Sequence, residues 1–140
     1  MTDKHVFPAG NYWIGDICYA IKDSKWKGMI KSTGCFGLEM NSKVKNWNDG
    51  CFTYNGEKCF VDGTAYGDGC YLDNHAKEYG VDAGLIGIMP LGACDGDSLN
   101  GGHPIRFEYD FEVYADNGVF YFGDVIINTR DQDDIEEDEY

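Results

Sequence analysis

The stretch that decides the fold is Ile105-Arg106-Phe107-Glu108-Tyr109-Asp110-Phe111-Glu112-Val113, followed by Asp116-Asn117-Gly118 and then by residues 119–128. Ile105, Phe107, Tyr109, Phe111 and Val113 alternate with Arg106, Glu108, Asp110 and Glu112. A period of two puts successive side chains on opposite faces of a strand. Asp-Asn-Gly suits positive φ and a tight reversal, and the residues after it are rich in Val, Ile, Phe and Tyr. The reading is a long C-terminal β-hairpin. Its second arm is apolar on both faces, with Phe120, Phe122 and Ile126 against Val119, Tyr121, Val125 and Ile127, which places it centrally in a sheet.

Upstream, short strand-like runs recur between Gly, Asp and Asn punctuation at 11–15, 17–21, 36–40, 51–54, 58–61, 69–72, 78–81 and 85–89. Short strands spaced by turn signals are how a β-sandwich or barrel reads. One short helix is expected over residues 23–31, where Asp23 or Ser24 can cap and Trp26, Met29 and Ile30 form an i, i+3, i+4 stripe. The expected fold is therefore mainly β: a single-domain antiparallel sandwich or barrel with one short helix and the C-terminal hairpin.

The chain has 140 residues, near the commonest domain size, so one domain is expected over 1–130. Ten Tyr, 8 Phe and 3 Trp are too rich for a disordered chain. The net charge of −14 is unevenly placed: +2 over residues 1–58, −9 over 59–130 and −7 over 131–140. Residues 131–140 repel themselves and offer little to bury, so they read as a disordered acidic tail. Acidity at this level argues against wrapping nucleic acid or docking on an anionic membrane, since both need clustered Lys and Arg.

The N-terminus is polar, and no apolar run reaches the ~7 to 15 residues of a signal-peptide core or the ~20 of a membrane span. A cytoplasmic location is expected, in the host cytoplasm if the protein is viral. Reduced thiols are then the favoured state of Cys18, Cys35, Cys51, Cys59, Cys70 and Cys94, and without a C-x-x-C pair a structural zinc site is disfavoured.

Two segments stand out: 12–19, Tyr-Trp-Ile-Gly-Asp-Ile-Cys-Tyr, and 62–73, Asp-Gly-Thr-Ala-Tyr-Gly-Asp-Gly-Cys-Tyr-Leu-Asp, continuing to Val81-Asp82-Ala83-Gly84. Over roughly residues 7 to 90 the chain resembles a group of small bacterial, phage and viral proteins that pair an "IGD-P-CY" stretch and a Trp-containing helix with a later "T-x-YGDG-x-Y … VD-x-G" block. Ile17 stands where that pattern has proline, while Gly15, Asp16, Cys18 and Tyr19 match it. The resemblance implies a β-rich intracellular domain, often phage- or virus-encoded, and implies no reaction.

Several residues are candidates for chemistry. On a strand, Asp16 and Cys18 would share one face with Tyr19 on the other, making Cys18 a nucleophile with His75 or His103 as its base. The competing reading, which we favour, is a buried thiol beside a turn-capping Asp. Asp95, Asp97 and Asn100 space oxygen ligands in a Gly-containing loop, loosely like a calcium loop, although turn chemistry explains the same residues better. No other cofactor is expected. The acids Asp62, Asp68, Asp73 and Asp82 with His75 could ring a hard cation. Tyr19, Tyr66, Asp68, Tyr71 and Asp82 are the candidate binding residues.

Three function classes follow. The leading one is a small intracellular, virus- or phage-related binding protein that engages a basic host protein through an acidic surface, possible as a nucleic-acid mimic. The second is a small-molecule or nucleotide binder with an aromatic pocket. The third is an enzyme, a cysteine hydrolase using Cys18 or a metal-dependent hydrolase using the Asp cluster, and it is weakest because no recognised catalytic signature is present. A homodimer is compatible with strands this aromatic.

Overall fold

Two runs, Tyr12-Trp13-Ile14 and Leu85-Ile86-Gly87-Ile88-Met89, are apolar at nearly every position, and both are buried on two sides. They pair with each other at the centre of a five-stranded sheet. The computed structural model describes residues 4–22, 51–81, 84–96, 99, 101–116 and 118–130. Its strands are β1 (His5–Phe7), β2 (Gly10–Gly15), β3 (Cys51–Tyr54), β4 (Glu57–Gly63), β5 (Gly69–Leu72), β6 (Glu78–Val81), β7 (Leu85–Pro90), β8 (His103–Phe107), β9 (Phe111–Asp116), β10 (Val119–Phe122) and β11 (Val125–Asn128). All the strand pairs are antiparallel.

The five-stranded sheet runs β3-β4-β7-β2-β8, and a four-stranded sheet runs β1-β9-β10-β11. Between them lies the larger core, where Tyr12, Ile14, Phe60, Ile86 and Ile88 meet Phe7, Val113, Phe120, Phe122 and Ile127. Alternation sends Trp13, Cys59, Val61, Leu85 and Met89 to the other side of the five-stranded sheet, where Ile17, Ala20, Ile21 and Ala93 cover them in a second core. Gly87 permits that cover. A Cβ there would overlap the Phe60 carbonyl and lie 2.5 Å from Ile17 Cγ1, so only glycine lets residue 17 reach the sheet. The two-stranded sheet β5-β6 joins the edge of β11 through an Asp73–Ile127 bridge.

The architecture is mainly β and sandwich-like, with two sheets face to face; the barrel alternative is overturned, since the sheets do not close. Run 17–21 is not a strand: Ile17–Tyr19 is a 3-10 turn, because Asp16 accepts a hydrogen bond from the Cys18 N–H and starts a helical turn there. The expected helix at 23–31 and the strand at 36–40 lie outside the described residues, as does the tail at 131–140. Beyond the expectations, β1 forms on β9.

The hairpin closes where expected, with Asp116 opposite Val119 and Gly118 at φ +87°. Its arms are shorter and belong to a different pattern. The first arm breaks at residues 108–110, so β8 pairs with β2 in one sheet and β9 pairs with β10 in the other. Phe107 and Phe111 stack across this corner at 3.7 Å, and both face the larger core. Tyr109 turns outward and is 82% exposed. The second arm reverses at Gly123-Asp124, so β10 is central but β11 lies at the end of the sheet. The reversal also changes which residues share a face. Phe120, Phe122, Val125 and Ile127 are buried, while Val119, Tyr121 and Ile126 point outward.

Candidate interaction face

Asp16 lies wholly buried at the start of the 3-10 turn, and its Oδ1 accepts the Cys18 N–H at 3.0 Å. A cap of this type stabilises a helical turn by about 1 kcal/mol. Cys18 is partly buried on the side of the five-stranded sheet that carries the second core, where Tyr19 also packs. His75 is exposed on the turn that follows β5, held against β11 of the other sheet. The five-stranded sheet stands between these two positions, so Cys18 and His75 are not brought together. His103 is engaged elsewhere: its Nε2 lies 2.6 Å from the Glu78 carbonyl, and its ring meets Tyr79 edge-on at 4.9 Å.

Among the described cysteines no disulfide forms. Burial pushes the Cys59 thiol up to about 12, with the neighbouring Cys94 adding to the effect, and burial pushes Cys94 up to about 11. Cys70 is raised by burial and by Glu78. Such thiols stay protonated at neutral pH and are poor nucleophiles.

Asp95 serves as an anchor. Its carboxylate accepts the Lys22 N–H at 3.0 Å, the Tyr54 hydroxyl at 2.6 Å and Asn55 Nδ2 at 3.2 Å, while its own N–H donates to the Ala20 carbonyl. One side chain thus ties three segments. Burial and the Asp95 carboxylate together hold the Tyr54 hydroxyl far above its ordinary pKa. Asp97 and Asn100, the other proposed calcium ligands, lie outside the described residues. Among the described residues no three His, Cys, Asp or Glu side chains gather as a metal group would require.

Asp73, read from sequence as one ligand of a possible cation ring, is a second anchor. Its Oδ1 accepts the His75 and Lys77 N–H groups and its Oδ2 accepts the Tyr79 hydroxyl at 2.8 Å. Burial alone would raise this carboxyl, but the hydrogen bonds from Lys77, Tyr79 and His75 outweigh it and hold the carboxyl below its usual range. Tyr79 is raised, by burial first and then by Asp73.

The Tyr-Gly-Asp-Gly segment is a loop whose fixed point is the Gly67 carbonyl, which accepts from Thr64 Oγ1 at 2.6 Å and from the Tyr71 hydroxyl at 2.9 Å. Tyr71 is thereby a core residue, 4% exposed, whereas Asp68 is exposed on the loop. Asp82 lies outside the described residues. Tyr66 is 62% exposed at the loop tip. With Val119, Asn128 and Arg130 it lines a shallow depression of about 320 Å³.

Val119 and Asn128 belong to the outward side of the four-stranded sheet, so Tyr66 adjoins a larger surface. On that side Tyr114 of β9 lies directly opposite Tyr121 of β10, and the two rings stack at 4.4 Å with 11° between their planes. Ile126 of β11 follows opposite Tyr121. At the other end, Lys4 Nζ sits 5.0 Å from the centre of the Tyr114 ring. Alternation along β9 puts Glu112 and Asp116, both exposed, on the same side as Tyr114. Val6, opposite Glu112 in β1, is 60% exposed. The result is an aromatic and aliphatic strip with carboxylates beside it, able to receive a flat or cationic group.

Of the described candidate binding residues read from sequence, Tyr66 adjoins this face. Tyr114 was the signal to follow, since extending the alternation of 105–113 by one residue puts an aromatic ring among the charged positions. No helix among the described residues is long and apolar enough to cross a membrane. No family model, curated protein or solved structure matches the chain.

Proposed function

We propose that the protein is a binding module that engages a basic protein partner through the outward face of its four-stranded sheet. The observation that carries this reading is the stacked Tyr114–Tyr121 pair with Glu112 and Asp116 on the same side of the sheet. Partly exposed aromatic side chains offer contact area at low entropic cost, and carboxylates next to them favour Lys and Arg over neutral or acidic partners. The chain's net charge of −14 would attract such a partner from a distance. The hydrolase readings have less support, because Cys18 and His75 are apart and the Asp95 oxygens already accept three donors.

The test is titration of the ¹⁵N-labelled full chain with a lysine- and arginine-rich peptide at low and high salt, beside an acidic peptide of equal length. The expected result is binding of the basic peptide alone, weakened by salt, with amide shifts at residues 112–121 and 126. Shifts confined to residues 131–140, or no binding, would overturn the reading.

A further inference from the structure

One cation of the protein itself already rests on this face. In β1, His5 pairs with Val113, so Lys4 falls one step along, level with Tyr114. The row across the sheet is then Lys4, Tyr114, Tyr121 and Ile126. Lys4 is exposed, yet its ammonium lies over the Tyr114 ring at 5.0 Å, within the ~6 Å at which ring and cation attract. Two residues to either side along β9 stand the exposed carboxylates of Glu112 and Asp116. These acids thus flank the stacked ring on which the Lys4 ammonium rests.

Resting on the binding reading above, we infer that the Tyr114–Tyr121 pair is the subsite for a lysine or arginine side chain of the basic partner. Lys4 occupies that subsite in the unbound protein and must leave when the partner enters. Lys4 therefore acts as an internal competitor, lowering the affinity of the face until a better cation displaces it.

The experiment compares the full chain with Lys4→Ala, Lys77→Ala and Tyr114→Leu, each titrated with the same lysine- and arginine-rich peptide. Lys77→Ala removes the same charge from an exposed position on the 73–77 turn, and so controls for the general increase in negative potential. Removing the competitor should tighten binding by about two- to fivefold, the range of an exposed cation–π contact, with Lys77→Ala changing it much less. Misfolding cannot mimic a gain. Tyr114→Leu, checked for a native circular dichroism spectrum, should weaken binding by about fivefold.

A second readout follows Lys4 itself. Its Hε protons, shifted upfield by the Tyr114 ring in the free protein, should move towards random-coil values as the peptide is added. If the wild-type chain binds the peptide while Lys4→Ala matches Lys77→Ala and the Lys4 signals stay fixed, the subsite is overturned and the binding face stands. If the wild-type chain fails to bind, both proposals fall.

Discussion

Two carboxylates, Asp73 and Asp95, look alike in sequence and do similar work in different places. Each accepts three hydrogen bonds and fixes segments that the strands alone leave loose. Asp73 makes an acid-stability prediction, because its hydrogen bonds hold the folded carboxyl below its unfolded pKa. Its stabilisation is complete above the unfolded value of about 4 and is lost as the pH falls through the lower, folded value. Asp73→Asn should cost about 1–3 kcal/mol at pH 7, since the amide cannot accept all three donors as the carboxylate does. Urea unfolding at pH 7 and pH 3.5 should show a smaller acid loss for the variant than for the wild type, and equal losses would remove Asp73 as the cause. Neither anchor was legible as such, because Asp beside Gly or Asn in a loop reads as turn chemistry whether its carboxylate bonds locally or 73 residues away.

At the scale of elements, the ends of the four-stranded sheet show how an exposed strand is managed. β11 would present open backbone groups, but Asn74 lies along it: its N–H donates to the Ile126 carbonyl, its Oδ1 accepts the Ile126 N–H, and its Nδ2 donates to the Asp124 carbonyl. One residue thus imitates a strand and blunts the edge. At the opposite end, Lys58 Nζ donates to the Val6 carbonyl and lies 4.8 Å from the Phe7 ring centre, tying β1 to the other sheet. Asn74→Ala should lose two of the three bonds and cost about 1–2 kcal/mol. Hydrogen exchange should accelerate at the Ile126 amide while Phe120 and Phe122 in the centre stay protected, and uniform acceleration would mean global rather than edge loosening. Strand positions were largely readable, since β3, β5 and β6 fall where the apolar runs and turn residues put them. Strand partners were not, because alternation carries no information about the neighbour across the ladder.

For the whole molecule, charge and topology act together. A chain of −14 repels itself, and salt screens that repulsion. The thermal midpoint should therefore rise by about 2–5 °C between 10 mM and 200 mM NaCl, the scale of roughly 1 kcal/mol in a domain of this size, and a fall in calorimetry would contradict that balance. The same salt should weaken binding of a basic peptide, so stability and affinity move in opposite directions. By itself the sequence determined the β class, most strand positions, the turn at Gly118 and the uneven acidity, because these depend on local period, turn residues and composition. Only the tertiary structure decided that 105–113 crosses from one sheet to the other, and that Val119, Tyr121 and Ile126 lie outside while Val125 and Ile127 lie inside. The physical reason is that a period of two says a strand has two faces, whereas which face meets a core is set by the sheet packed against it. That choice leaves Tyr114 and Tyr121 outward, beside Lys4.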